Sequence, residues 1–562
     1  MTRRDRLQLL AAWVLLGLLP LFIRPLWEPD ETRYAEIPRE MLATGDWLAP
    51  RLQGLLYFEK PPLQYWLSAL SMKLFGLNAP AARLPLALAA GLMMLAAWRL
   101  AWRLGARRPA WAAILAGTTL LGFVTGQLLT LDALFTAFTL AALAAAVEAV
   151  TARVEDRPHL PWTLGAFAAC AAAMLTKGLA GPVLLGGVLL FSLPVAWRDA
   201  RLRRAVLATG FHPLGWACFL ALAAPWFVRV DRAHPGHAAY FFIHEHFARF
   251  SSTVHNRQGA ANPLLDKLYF VGVLALGLLP WLSMAVVGLK RGLAFFRRAS
   301  GPVMEGASLR RWTVAAVWWA ALWPFLFFTF SGSKLPPYVL PCVVPLLALA
   351  CAFEREGEEP AALRRAAFEL FILGAVLMVA AVVFRAEVDG EEWAFAAGFA
   401  YGLLGLWALR PQALGGLTAP RWLAALAGCS LLFVEAGHRV AILDKDPAPL
   451  VGAAPPGAQW ISYGVHFHGL PFHARQRVAV VAGTGELADG RDRAPQAERE
   501  RWIPEHAGDL LPLARRMRAE APGRPVALLA KERDWDRALP EARTAFRELR
   551  RQHGMVLAVL AE

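Results

Sequence analysis

Cysteine is nearly absent from this sequence: there are five in 562 residues, Cys170, Cys218, Cys342, Cys351 and Cys429, all in apolar stretches and none after residue 440. That excludes a disulfide framework or a cysteine metal cluster and leaves the thiols as packing groups. Charge is scarce as well, at 18% of residues, while hydrophobic residues reach 57% and mean hydropathy is +0.41. A soluble chain of this length is not so apolar. There is no internal repeat, no low-complexity segment and no small-residue cleavage site after the first apolar run, where "FIRPLWEPDE" follows. The first run is therefore read as a retained helix and not a signal peptide.

What is present is a series of about thirteen apolar runs, each near the ~20 residues a spanning helix needs. They lie near 9–26, 80–101, 110–126, 131–150, 161–177, 179–197, 206–228, 265–288, 312–331, 337–353, 366–384, 393–410 and 421–440. The fold class expected is a polytopic α-helical membrane protein over 1–440, followed by a soluble segment over 441–562. Lysine and arginine collect in alternate loops, among them "MTRRDR", "RLGARRP", "WRDARLRR" and "EREGEEPAALRR". The positive-inside rule puts those loops in the cytoplasm. The 27–79 loop, the 229–264 loop and the tail then share the opposite face, the periplasm of a bacterial inner membrane. The net charge of +15 is explained by these loops and by contact with anionic membrane lipid, so nucleic-acid binding is rejected.

The tail changes character. "VAVVAG", "PVALLAK" and "MVLAVLA" read as short buried strands, while "GDLLPLARRMRAE" and "ALPEARTAFRELRRQ" read as amphipathic helices, a small α/β domain. His466 and His468 are expected on one face of a strand. With His473 they lack an identifiable carboxylate partner, so a hydrogen-bonded face is preferred to a metal site.

The unusual polar residues lie in the non-cytoplasmic segments. "EPDETRYAEIPREML" holds seven charges in fifteen residues, and the rest of its loop is long enough for short amphipathic helices lying on the membrane. Asp30 reads two ways, as an N-cap accepting a backbone N–H or as an acid in a site. Arg33, three residues on, shares its helical face. "FEKPP" fixes Glu59 and Lys60 before two prolines, and lysine suits either phosphate binding or the membrane interface. Asp132, Lys177, Lys334 and Tyr338 fall at predicted outer helix ends, where an ionisable group is costly unless paired or facing water. In "FFIHEHFARF", His244 and His246 do not share a helical face, which excludes a zincin-type pair; one histidine with Glu59 could still hold a cation. A transporter would carry its ionisable groups at mid-membrane on paired repeats, and neither pattern is seen.

Taken together, "LWEPDETRYAEIPREMLATGDWLAPRLQGLLYFEKPPLQYW", "TLDALFTAF", "MLTKG", "HEHFARF" and "SKLPPYVLP" resemble the bacterial aminoarabinose transferases of lipid A, relatives of protein O-mannosyltransferases in the GT-C class. The resemblance covers about residues 1–350 and implies a glycosyltransferase that moves a sugar from undecaprenyl phosphate to lipid A phosphate, acting as a monomer. It implies Asp30 as the essential acid beside Arg33. Lys60, Arg249 and Tyr338 would hold the donor phosphate, and Asp132 and Lys177 would line the cavity. Glu59 and His244 would be the pair for a divalent cation, although no metal requirement is general to the family. A related transferase moving a hexose or uronic acid to a glycolipid or protein remains the alternative.

Overall fold

The computed structural model describes residues 1–248, 262–298, 307–383, 385, 391–410, 419–441 and 446–561. Helices cover all thirteen apolar runs, and the chain is a polytopic membrane protein. Among the described residues six helical segments are long and apolar enough to cross a bilayer, among them Arg3–Phe22, Ala79–Arg103, Leu131–Val154 and Ala200–Ala233. Elements used below are α1 (Arg3–Ala12, prolonged to Phe22), α2 (Asp30–Thr44), α3 (Leu63–Phe75), α4 (Ala79–Arg103), α5 (Pro109–Thr118), α6 (Leu120–Gln127), α7 (Leu131–Val154), α8 (Leu160–Lys177), α9 (Ala180–Ala196), α10 (Ala200–Gly210) and α11 (Pro213–Ala233).

Two runs expected as single spans are broken. The 110–126 run bends by 69° between α5 and α6, and the 265–288 run bends by 114° between Pro263–Gly277 and Leu282–Arg297. Bends within a membrane need partners for the freed backbone groups, and these two supply one another. Leu120 N–H donates to the Leu279 carbonyl at 3.0 Å, and the Trp281 indole donates to the Thr118 hydroxyl at 2.9 Å. Glu369 then accepts the N–H groups of Leu282 and Ser283 at 2.8 and 2.9 Å, which are otherwise orphan donors at a helix start.

The tail carries a five-stranded mixed sheet in the order β4-β3-β5-β7-β6, with β3 (Gln459–Tyr463), β4 (Ala479–Val481), β5 (Val526–Lys531), β6 (Phe546–Gln552) and β7 (Met555–Leu560). β3 pairs parallel with β4 and β5, and β7 pairs antiparallel with β5 and β6. Two expectations fail here. "FRELRRQ" is the edge strand β6, and helix is confined to Pro540–Ala545. Its charges are solvated on both faces, so they lack the one-sided period of a half-buried strand, and they guard the sheet edge. His466 and His468 are not on a strand: β3 stops at Tyr463, and His468 is the N-cap of the short helix Gly469–Ala474.

One buried ionic cluster ties the first loop to the bundle. Glu31 and Arg83 have no exposed surface. Arg83 donates to Glu31 Oε1 and Oε2 at 2.9 and 2.8 Å, and Arg24 binds the same carboxylate. Trp27 N–H and Leu129 N–H add bonds of 2.9 and 2.8 Å. Burial alone would raise the carboxyl's pKa, but Arg83 and Arg24 outweigh it and hold it below the usual range. The spare guanidinium donors go to the carbonyls of Arg24 and Gln127 at 2.7 Å each. The end of α1, the start of α2, α4 and the α6–α7 link thus meet at one carboxylate.

Neutralising that carboxylate leaves two buried guanidinium groups without their anion, a loss on the order of 3–5 kcal/mol. Glu31→Gln is expected to lower the thermal midpoint in detergent clearly below wild type. An unchanged midpoint would show that the cluster is not what fixes the loop.

Candidate active site

α2 begins with Asp30 itself; Pro29 takes the N-cap position, with no side-chain capping bond. The capping reading of Asp30 therefore fails. Its carboxylate instead accepts from Arg33 Nη2 at 2.7 Å, and 64% of its side chain is exposed. Arg33 is buried, and its Nη1 binds Glu486 of the tail. Two carboxylates more than 450 residues apart thus share one guanidinium.

A second group gathers around a cavity of about 340 Å³, lined by Glu59, Lys60, Lys177, Glu245, Tyr338 and apolar side chains that include Phe241 and Phe328. Lys60 comes from the turn before α3, held by "KPP", and its ammonium meets Glu245 at 3.1 Å and the Glu59 carbonyl at 2.8 Å. Lys177 ends α8, is ion-paired with Asp132 in the first turn of α7, and sits 4.1 Å from the Tyr338 ring centroid. Asp132 thus fixes Lys177 and is not itself part of the cavity wall. Lys334 is buried and bonded to Asp266 at 2.6 Å.

The two groups are close enough to act electrostatically on one buried side chain, Tyr34. Burial pushes the Tyr34 hydroxyl up, Arg33 pulls it down, and the charges of Asp132, Glu59 and Asp30 all reach it. Tyr34 stacks on Tyr65 at 5.9 Å between ring centroids, and both rings are buried.

Asp30 and Arg33 are paired directly, and Lys60, Lys177, Tyr338 and Glu59 share the cavity wall. Arg249 lies outside the described residues. His244 stacks on Tyr240 at 5.1 Å and lies 3.7 Å from Glu245. It is not among the cavity-lining residues, whereas Glu59 is. Among the described residues no three His, Cys, Asp or Glu side chains converge as a metal site; Glu245, the carboxylate nearest His244, holds Lys60 instead. Sequence reasoning missed Glu245, Asp266 and Glu486. The first stood between two histidines that drew attention away from it, and "GTGELADG" carried no signal for the last.

The tail also touches the loop through Glu28, which is buried and accepts the N–H groups of His468 and Gly469 at 2.5 and 2.7 Å and the Thr32 hydroxyl at 2.8 Å. Gln53, at the tip of the hairpin β1 (Arg51–Leu52) and β2 (Leu55–Leu56), accepts Val478 N–H at 3.2 Å and meets His466 at 3.2 Å. The next residue must be glycine: φ is +75° at Gly54, and a Cβ there would stand 2.5 Å from the Arg477 guanidinium.

Comparison with known proteins decides the family. The chain is 34% identical over 471 residues to the undecaprenyl phosphate-α-4-amino-4-deoxy-L-arabinose arabinosyl transferase of Edwardsiella ictaluri, covering 80% of each chain. The chain belongs to this arabinosyl transferase family. The Yersinia pestis (strain Pestoides F) transferase is 31% identical over 75% of this chain and 74% of its own. That of Pseudomonas savastanoi pv. phaseolicola is 37% identical over 62% and 60%. The family profile described as dolichyl-phosphate-mannose-protein mannosyltransferase matches residues 59–228. Among solved structures, ArnT from Cupriavidus metallidurans bound to undecaprenyl phosphate superposes with a TM-score of 0.76 at 26% identity, covering 100% of this chain and 98% of that one. The archaeal oligosaccharyltransferase AglB from Archaeoglobus fulgidus shares the fold alone, with a TM-score of 0.50 at 12% identity, over 97% of this chain and 72% of that one. The chain is a glycosyltransferase of this class.

Burial pushes the Glu28 carboxyl up to about 7, against the bonds from Thr32, His468 and Gly469. A carboxyl raised in the folded state favours folding at low pH. Its contribution is complete below the unfolded pKa of about 4.5 and falls away as pH climbs toward 7, by about 3 kcal/mol in total. The buried His466 and His468 and the partly buried His473 are held low by desolvation and slope the opposite way. The difference between wild type and Glu28→Gln isolates the carboxyl. The variant is expected to gain thermal stability relative to wild type as pH rises from 5 to 7.5, and parallel curves would show that Glu28 does not titrate there.

Proposed function

We propose that this transferase moves 4-amino-4-deoxy-L-arabinose from undecaprenyl phosphate to a lipid A phosphate at the periplasmic face of the inner membrane. The observation that carries this reading is the pair of lysines, Lys60 and Lys177, each held by a carboxylate at the wall of a largely apolar cavity where membrane helices end. The full-length likeness to a protein bound to undecaprenyl phosphate supports the donor. The basic loops support this orientation: Asp132 and Lys177 sit at the helix ends away from Arg99, Arg103 and the basic segments near them.

When the bond between the sugar and its phosphate breaks, negative charge grows on the departing phosphate. Cations fixed in a low-dielectric cavity stabilise that charge without reorganising. Lys60 and Lys177 supply it, with Tyr338 placing its ring against the Lys177 ammonium. Arg249 is the third cation this reading assigns to the phosphate. A phosphate acceptor is already anionic, so it needs alignment more than deprotonation. Asp30, exposed at the rim and paired with Arg33, orients the acceptor or the cationic sugar amine. It acts as a general base only toward a hydroxyl acceptor.

Mass spectrometry of lipid A from cells with and without the protein tests substrate identity. A gain of one amino-pentose is expected, whereas a gain of a hexose or uronic acid, or modification of another glycolipid or a protein, would establish the alternative transferase.

Asp30→Asn removes one charge while Arg33 keeps Glu486 as partner, so thermal stability is expected to stay near wild type. Transfer should fall at least about a hundredfold, the scale of losing one positioned acid or base. An active asparagine variant would move the essential acid to Asp132 or Glu59.

A further inference from the structure

The transfer reaction uses the helix ends that carry Asp132 and Lys177, but the other ends of the same helices hold a second polar group. Arg153 lies at the far end of α7 and His159 caps the start of α8. Twenty-one residues separate Asp132 from Arg153 on one helix, about 32 Å at 1.5 Å per residue, so the two groups face opposite leaflets. Arg153 makes no hydrogen bond or ion pair among the described residues; its Nε and Nη2 are covered without a partner, as is His159 Nδ1. The His212 ring lies 5.9 Å from that of His159. The neighbouring acids are engaged elsewhere: Glu155 bonds Arg157 at 2.7 Å, and Asp156 pairs with Arg201. A guanidinium left without an anion at a membrane helix end is costly. Among the described residues nothing supplies its counter-charge.

Beside this group lies a cavity of about 320 Å³ with almost wholly apolar walls, formed by Ala142, Ala146, Ala166, Phe167, Leu190 and Phe211 with their neighbours. Ala146 and Arg153 are seven residues apart on α7, and His159 and Ala166 are seven apart at the start of α8. Two helical turns keep each pair on one face. Phe211 adjoins His212. Leu190 and Phe211 are 63% and 73% exposed, so the cavity opens sideways to where the bilayer lies. Alanines on two facing helices leave the groove, and its size is at the lower end of the ~300–1,000 Å³ typical of ligand pockets, enough for one chain and not for a folded ligand.

We propose that this groove binds an anionic phospholipid of the leaflet opposite the active site, with one acyl chain in the cavity and the headgroup phosphate against Arg153, His159 and His212. Charge complementarity selects the occupant, since a zwitterionic lipid fills the groove equally well but leaves a lesser net charge for the guanidinium.

Native mass spectrometry of the purified full chain, delipidated and then titrated with equal amounts of phosphatidylglycerol and phosphatidylethanolamine, tests this. Wild type is expected to retain phosphatidylglycerol roughly five-fold more, the value of one basic residue at an anionic surface, and less so at high salt. Arg153→Gln should bring the ratio near one, while Arg153→Lys should keep most of it. Ala146→Phe, which fills the groove, should lower retention of both lipids. Equal retention by wild type, or an unchanged ratio in Arg153→Gln, would overturn the proposal. So would undecaprenyl phosphate displacing phosphatidylglycerol from wild type and binding more weakly to Arg153→Gln, since the groove would then belong to the donor's chain. The wild-type ratio and its salt dependence decide the matter even where a variant fails to fold.

Discussion

The Glu31 carboxylate is the point on which the rest of the site depends. It accepts from two arginines and two backbone N–H groups with no exposure to water. A buried charge is tolerable only when so fully satisfied. Because the partners come from α1, α4 and the α6–α7 link, the carboxylate fixes where α2 enters the bundle. Asp30 and Arg33, the residues on either side in the first turn, inherit their positions from it. The two adjacent acids of "PDET" therefore divide the work. Glu31 points inward and anchors, and Asp30 points outward and stays available to a substrate.

Charge compensation is the second constraint. Lys60 with Glu245, Lys177 with Asp132, Lys334 with Asp266 and Arg33 with Glu486 each meet a carboxylate across element boundaries, and Arg33 also pairs with Asp30 within α2. In a medium of low dielectric an unpaired ammonium would be costly or lose its proton. The carboxylates satisfy and orient the cations. Donors oriented in advance stabilise a developing charge without rearranging, which is what the proposed phosphate role requires of them.

Much of this was legible in the sequence because the bilayer imposes long apolar runs and makes every ionisable residue near them conspicuous. All thirteen runs are helical, and the first-loop motif, "MLTKG" and "SKLPPYVLP" meet at one site. What was not legible was three-dimensional pairing. The bends at Thr118 and Pro280 leave no mark in hydropathy, because each broken backbone is repaired by the other bend and by Glu369. Glu245 looked like a spacer between histidines, although burial makes it the anion for Lys60. The β6 strand reads as a helix because an edge strand solvated on both faces loses its two-residue period.

The tail is the part whose role becomes clear only from contacts. It is joined to the first loop by backbone donors of His468 and Gly469 on Glu28, by Val478 on Gln53 and by Glu486 on Arg33. Three of these four bonds use a main-chain N–H, which any sequence can present, so no side-chain motif betrays them. The fourth is an ion pair that places a tail carboxylate on a site arginine. A soluble domain tethered only for convenience would have no need to bury Glu28 and both histidines in its contact. The tail is thus docked on the first loop and shares Arg33 with Asp30 through Glu486, so a change in its docking alters the partners of Arg33 without touching a residue of the first loop.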